Sequence, residues 1–308
     1  MINKIVAVQG NHPSELNSTT DTSVFLANEI QSKKYKIFYY DPKDLSVINS
    51  KVIAKGFFIK FDYTKKKFFK ILNRQKLDLL RCKFILIRQD PPFNLEYISA
   101  TYILDTIKDK VKIINNPTSI RNVSEKLYSV KYQKYMPSTI FTQNLNEIKN
   151  FFKMHKKVIL KPIHSFSGND IHLLNKFNLK LIQKFIKQHD HIMCQKYLPK
   201  ISRGDKRVFL INGKVCGAIS RVPKKGSFLS NMSKGAKPIN IKLTKTENRI
   251  SKLIAKDLKK ENIYFAGIDF IDQKLNGDIN VTSPTGLKTF FDLSGINLAK
   301  TFWKDLKA

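Results

Sequence analysis

The stretch Ala266–Gly286, AGIDFIDQKLNGDINVTSPTG, sets acidic and amide side chains inside an otherwise hydrophobic run. It reads as two strands about a turn, and Asn276-Gly277 is its strongest turn signal. Side chains alternate between faces along a strand, so Asp278 and Asn280 project to one side. Asp269 interrupts a segment that looks buried, where an unpaired carboxylate is costly. With Asp269 on the partner strand opposite them, three hard oxygen donors converge within an apolar sheet. That set suits Mg²⁺ and leaves room for substrate phosphates. Asp272 and Asn276 are ordinary turn residues and carry no such inference.

Working outward, Lys161 ends the apolar strand KKVILKPI, and Lys126 falls in SIRNVSEKLYSVKY, read as a helix capped by Ser124 or Asn122. Either ammonium suits a nucleotide phosphate, although in a chain so rich in lysine neither carries much alone. CQKYLP offers Gln195, Lys196, Tyr197 and Leu198 as a strand edge against which an adenine ring can lie. GDKRVFLINGK places Asp205 and Arg207 at the entry to a hairpin that turns at Asn212-Gly213. Asp205 suits ribose hydroxyls and Arg207 the charge on a phosphoryl group in transfer, with a surface ion pair as the plainer alternative.

The wider chain alternates strand and helix. KIVAVQG, KIFYYDP, CKFILIRQD and VKIINNP read as strands, while DTSVFLANEIQSKK and EYISATYILDTIKDK read as helices, the first capped by Asp21 or Thr22 with Phe25, Leu26 and Ile30 on one face. This βαβ pattern predicts an α/β chain with a largely parallel first sheet. Three units follow from the spacing: residues 1–120, a central unit over 121–200, and 201–308 carrying the acidic hairpin. No internal repeat is present.

At 308 residues, 42% hydrophobic and 11% aromatic, the composition is that of a globular protein. No apolar run reaches spanning length, and MINKIVAVQG is too short for a signal segment, so a cytoplasmic protein without a membrane association is expected. Cys82, Cys194 and Cys216 form no CxxC pair and no zinc spacing. The formal charge of +32 would suit nucleic acid, an anionic surface or acidic ligands. Yet the lysines are spread along the chain, the densest clusters TKKKFFK and KMHKKV lie in amphipathic segments, and no nucleic-acid motif accompanies them. Most of the charge therefore reads as solvated surface, with binding to nucleic acid as the less favoured alternative.

The order of these motifs resembles bacterial glutathione synthetase, within the ATP-grasp ligases, over essentially the whole chain. The matching stretches are RQDPPFNLEYISATYIL, INNPTSIRNVSEKL, ILKPI, QKYLP, GDKRVFLINGK, GIDFI and INVTSPTG. RQDPPF followed by ATYIL, together with NVTSPT, points narrowly to the glutathione branch. The resemblance implies an ATP-grasp fold behind an N-terminal Rossmann-like domain. It also implies an ADP-forming ligase that joins γ-glutamylcysteine to glycine through an acyl phosphate. Carried over, Lys126 and Lys161 contact phosphates, Gln195, Lys196, Tyr197 and Leu198 frame adenine, and Asp205 meets the ribose. Arg207 acts with Lys161 in catalysis. Asp269, Asp278 and Asn280 hold two Mg²⁺ or Mn²⁺ ions, Asp278 standing where the family usually has glutamate. Arg88, Asp90, Thr282 and Ser283 lie by the peptide, and a homotetramer is implied.

Two departures concern the lid over the nucleotide. Relatives carry a glycine-rich segment where this chain has His164-Ser165-Phe166-Ser167-Gly168-Asn169-Asp170-Ile171. Ser165 and Ser167 can donate to phosphate, Gly168 keeps a permissive backbone, and Phe166 can cover the base. An RGN triplet of the family is Leu229-Ser230-Asn231 here, so Asn231 remains but the arginine does not, and Lys224, Lys225 or Lys234 would have to replace its charge. Three readings stay open: an active glutathione synthetase with a modified lid, a related ligase using another acid or amine, and a nucleotide-binding or nucleic-acid-associated protein without catalysis.

Overall fold

The computed structural model describes residues 4–165 and 168–308. The first unit is a seven-stranded sheet of β1 (Ile5–Gln9), β2 (Lys36–Tyr40), β3 (Leu45–Ile48), β4 (Lys51–Phe61), β5 (Phe69–Asp78), β6 (Phe84–Ile87) and β7 (Lys112–Ile114). The order β2-β1-β6-β7 is parallel, as the βαβ pattern predicts. β4 instead runs antiparallel to β2, β3 and β5, an added flap over residues 45–78 that the sequence reading does not contain. Helices α1 (Thr22–Gln31), α2 (Leu95–Asp105) and α3 (Pro117–Asn122) connect the strands. Asp21 does cap α1, its side chain accepting from the N–H of Val24, and Asn94 and Asn116 cap α2 and α3 in the same way.

The expected helix around Lys126 is different. After α3 the chain forms a 3-10 helix, Leu127–Tyr135, and Lys126 sits just before it with no side-chain cap. Val123, Tyr128, Tyr132 and Met136 join the core beneath the third sheet, where they meet Met193 of the central unit. The central unit then consists of β8 (Thr139–Thr142), α4 (Leu145–His155), β9 (Val158–Pro162), β10 (His172–Leu174), α5 (Leu179–His189) and β11 (Ile192–Lys196), with strand order β10-β9-β11-β8. Ile148 and Phe151 of α4 meet Ile182 and Phe185 of α5 in a core that this unit keeps to itself.

The third sheet has the order β14-β13-β12-β15-β16. Its members are β12 (Asp205–Ile211), β13 (Lys214–Val222), β14 (Lys237–Asn240), β15 (Phe265–Ile271) and β16 (Lys274–Asn280), joined by α6 (Lys245–Lys260) and followed by α7 (Leu287–Ser294) and α8 (Leu298–Asp305). The β12–β13 turn falls at Asn212-Gly213 as expected, both in the left-handed region. The β15–β16 turn does not fall at Asn276-Gly277. It is made by Asp272 and Gln273, both at positive φ, and Asn276 and Gly277 lie inside β16.

Alternation along β12 divides one face into two halves. Asp205 and Arg207 lead, and Phe209 and Ile211 follow on the same side. The apolar half merges with the first unit: Phe209, Ile211, Phe265, Phe302 and Trp303 share a cluster with Val6, Val24, Phe25 and Leu26. Trp303 Nε1 donates to Leu26 O at 2.8 Å. The polar anchor of the same seam is Asn115, whose Nδ2 donates to the carbonyls of Phe265 and Val281, each at 2.7 Å. Its Oδ1 accepts from the N–H groups of Tyr264 and Phe265, each at 2.8 Å. Asn115→Ala leaves two buried donors and two buried acceptors without partners, and urea unfolding should show a loss of about 2–4 kcal/mol. A loss below about 0.5 kcal/mol would mean that water replaces the amide.

Candidate active site

The charged half of β12 is built by cross-strand register. Asp205 lies opposite Arg221 of β13, and Arg207 opposite Asp269 of β15. Each arginine donates through two nitrogens to the carboxylate facing it, and Arg221 Nη2 also reaches Asp269 Oδ2 at 2.8 Å. Two acids and two guanidiniums thus neutralise one another in a buried sheet face. Gly267 makes room for this, since a Cβ there would meet Arg207 Cδ at 2.9 Å. Burial alone would raise the pKa of Asp269, but Arg207 and then Arg221 more than reverse it and hold it at about 2. For Asp205 burial prevails over Arg221 and raises the pKa. Its oxygens accept from Arg221 and, at 2.6 Å, from the Ser230 hydroxyl, so Asp205 is an internal partner of Arg221, not the open acceptor expected for a ribose.

The acidic hairpin carries a bulge that explains the misplaced turn. β16 pairs Ile279 with Ile268 and Leu275 with Phe270, so Asn276, Gly277 and Asp278 together face Asp269. Gly277 takes φ +87°, and a Cβ on it would meet Met193 Cε at 2.5 Å. Asn276, Asp278 and Asn280 consequently turn their side chains into the same cleft as Asp269. Lys161 Nζ donates to Asn276 Oδ1 at 2.9 Å and O at 3.0 Å, and lies 3.6 Å from Asp278. Lys126 Nζ is 3.5 Å from the other oxygen of Asp278 and donates to Ser165 O at 3.0 Å. Burial lowers the pKa of Lys161, with Asp278 opposing it and Lys126 adding to it. Asn276, discounted as a turn residue, belongs to the site.

The cleft has a volume of about 550 Å³. Ile159, Ile171, Leu198 and Ile271 give it an apolar slot beside Gln195, Lys196 and Tyr197. Gln195 Nε2 is committed to Thr139 Oγ1 at 2.9 Å, and the N–H groups of Lys196 and Tyr197 to the carbonyls of Ser138 and Lys157. From above, Gly168 at φ +73° presses so closely on Asn231 that a Cβ would come within 2.5 Å of its Oδ1, and Lys234 Nζ donates to Asn169 Oδ1 at 2.8 Å. The two loops that carry the departures therefore meet over the cleft. The expected roles of Phe166 and Ser167 fall outside the described residues.

At the far end the cleft reaches the first unit. Asp90, Glu15, Asp21 and Ser283 line it, and Ser283 Oγ donates to Arg88 O at 3.3 Å. Arg88 Nε donates to Ser23 Oγ at 3.0 Å, while its Nη1 and the hydroxyl of Thr282 are buried without a partner among the described residues. Burial raises the pKa of Asp90 against Arg88, with Asp21 and Glu15 adding to the rise.

Besides Glu15 and Asp21, sequence reasoning missed two charged groups of the cleft, Arg221 and Glu125. Arg221 closes an otherwise apolar strand, VCGAISRV, and that anomaly was its signal. Glu125 directly precedes Lys126; it lines the cleft and its carbonyl accepts from Ile279 N at 2.9 Å. Burial raises its pKa against Lys126, and Asp278 adds to the rise. No cluster of three or more His, Cys, Asp or Glu side chains poised for a metal occurs among the described residues. The donors are two carboxylates and the Asn280 amide, whose buried Oδ1 has no partner. A hard cation that takes a few protein oxygens and fills its shell from substrate phosphates fits that set.

The folded pKa of Asp269 lies below the ordinary carboxylate value of 3.8, so its stabilising contribution is complete above that value and vanishes as pH falls toward about 2. In urea unfolding with chelator, the wild type should lose on the order of 2 kcal/mol more than Asp269→Asn between about pH 4 and about pH 2. Parallel profiles would contradict the ion-paired assignment.

Comparison with known proteins agrees with the geometry. Residues 5–121 match the family model of the prokaryotic glutathione synthetase N-terminal domain, and residues 125–295 that of the prokaryotic glutathione synthetase ATP-grasp domain. The chain is 34% identical to a glutathione synthetase of Brucella melitensis over 307 residues, 98% of each chain. It is 35% identical to that of Buchnera aphidicola over 301 residues, 96% of this chain and 93% of the other. Among solved structures, D-cycloserine synthetase superposes with a TM-score of 0.66 at 11% identity, over 98% of this chain and 99% of the other. D-alanyl-alanine synthetase A from Vibrio cholerae does so with 0.62 at 14%, over 98% and 97%. These two share the α/β fold of this chain, which the family model over residues 125–295 identifies as ATP-grasp.

Proposed function

The chain belongs to the prokaryotic glutathione synthetase family, and from that premise we propose how its cleft makes glutathione from ATP, γ-glutamylcysteine and glycine. The observation that carries the reading is the convergence of Lys126, Lys161, Asp269, Asp278 and Asn280 on one cleft roofed by two loops.

ATP is the phosphoryl donor. Its adenine enters the apolar slot, where the Leu198 N–H meets the ring edge because those of Lys196 and Tyr197 are occupied. Lys126 and Lys161 turn from Asp278 toward the phosphates. Asp269, Asp278 and Asn280 would hold the divalent cation, Mg²⁺ or Mn²⁺ with two ions per site, which would supply neutralisation of phosphate charge. Arg207 then stabilises charge on the phosphoryl group as it passes to the cysteinyl carboxylate of the dipeptide. Arg88, with its unused nitrogen, and Asp90, Thr282 and Ser283 fix the γ-glutamyl end. The amine of glycine attacks the resulting acyl phosphate and phosphate leaves. No side-chain nucleophile is needed, since positioning and exclusion of water suffice.

Of Lys224, Lys225 and Lys234, it is Lys234 that bonds from one loop to the other. It acts on the lid, not on the phosphate. A cytoplasmic setting, where ATP is available and three free thiols stay reduced, suits the reaction, and family resemblance extends the reading to a homotetramer.

Purified protein with Mg-ATP and γ-glutamylcysteine should release ADP only when glycine is added, matched by glutathione in the mass spectrum. ADP without glutathione would assign the cleft to another acid or amine, and no ADP would remove catalysis from it. Lys161→Met should raise the KM for ATP about tenfold or more with the fold unchanged by circular dichroism. An unaltered ATP dependence would take Lys161 out of the phosphate site.

A further inference from the structure

A second cleft, of about 640 Å³, opens at the opposite end of the first sheet, where the parallel strands β6 and β7 begin. It shares no lining residue with the active-site cleft. One wall comes from Arg81, Lys83, Lys110 and Lys112 of the first unit, the other from Asn212, Tyr264 and the end of α8 with Lys307. Its floor is apolar, with Phe84 and Val111 buried.

The charge balance of this cleft is one-sided. Five cationic side chains line it against a single carboxylate, Asp305. That carboxylate is already spoken for, by Lys214 at 3.1 Å and Asn212 at 3.3 Å. None of the five cations has a carboxylate within 4.0 Å among the described residues. A concave, partly apolar wall concentrates the field of such a group beyond what the same charges give on an open surface.

We propose that this cleft binds a small molecule with at least two negative charges, a polyphosphate or a polycarboxylate. The ligand bridges Arg81 and Lys112 of the first unit to Lys307 beyond α8, and so strengthens the seam that Asn115 and Trp303 also hold. Lying behind the strands, it leaves the active-site cleft open.

Inorganic tripolyphosphate and citrate, titrated by calorimetry at physiological salt into protein saturated with a nonhydrolysable ATP analogue and Mg²⁺, test this. At least one should bind saturably at one site per chain. Arg81→Ala with Lys112→Ala should weaken that binding about tenfold or more while glutathione formation is unchanged. The control removes equal charge elsewhere: Lys180→Ala with Lys184→Ala, on the solvent face of α5, should change it less than about twofold. Which of the two anions binds identifies the ligand class. The proposal is overturned if neither binds saturably, if both double variants weaken binding alike, or if the ATP analogue competes.

Discussion

Everything in the catalytic cleft is arranged around one electrostatic constraint: a sheet interior will accept carboxylates only when their charge is met. Asp205 and Asp269 are met by Arg221 and Arg207 directly across the strands, so the alternation of a β-sheet does the pairing. Arg221 touches both acids and makes the four groups one network. Such a network fixes side-chain orientation before any substrate arrives, which is the condition for electrostatic catalysis. Asp278 obeys the same constraint with different cations. Its lysines come from the central unit and from the segment leading into the 3-10 helix, so its neutralisation holds two parts of the chain together across the cleft.

Two loops meet over the cleft. Gly168 is still glycine where Asn231 leaves no space for a Cβ. Lys234 reaches from the one loop to Asn169 of the other, so the contact between them is charge-assisted.

Much of this was legible in the sequence, for reasons that differ by element. The α1 cap and the Asn212-Gly213 turn follow local rules and appear where those rules put them. Asn276-Gly277 satisfies the same turn rule and is nevertheless a bulge. The glycine is needed there for close approach to Met193, and Asp272-Gln273 makes the turn without any glycine. Asp269, Asp278 and Asn280 were readable because acids in an apolar strand demand an explanation. Arg221 demanded the same and is found only through Asp205, sixteen residues earlier in sequence and opposite in register. Within residues 45–78, β5 gave little signal, since most of its residues are exposed and it shows weak alternation.

The apolar seam between the first and third sheets has a consequence for how the chain is made. Val24, Phe25, Leu26 and Ile30 of α1 are covered by side chains from residues 287–303, and the α1 carbonyl of Leu26 receives its bond from Trp303. During synthesis, which runs from the N-terminus, that face of α1 emerges long before the residues that cover it. The first sheet can close its α2 face from its own residues by residue 120, and the central unit its core by residue 196, but the α1 face stays partly uncovered until the last helices are made. The newborn chain would complete its middle before one face of its beginning, and the residues of that face are the ones that need shielding until the end is made.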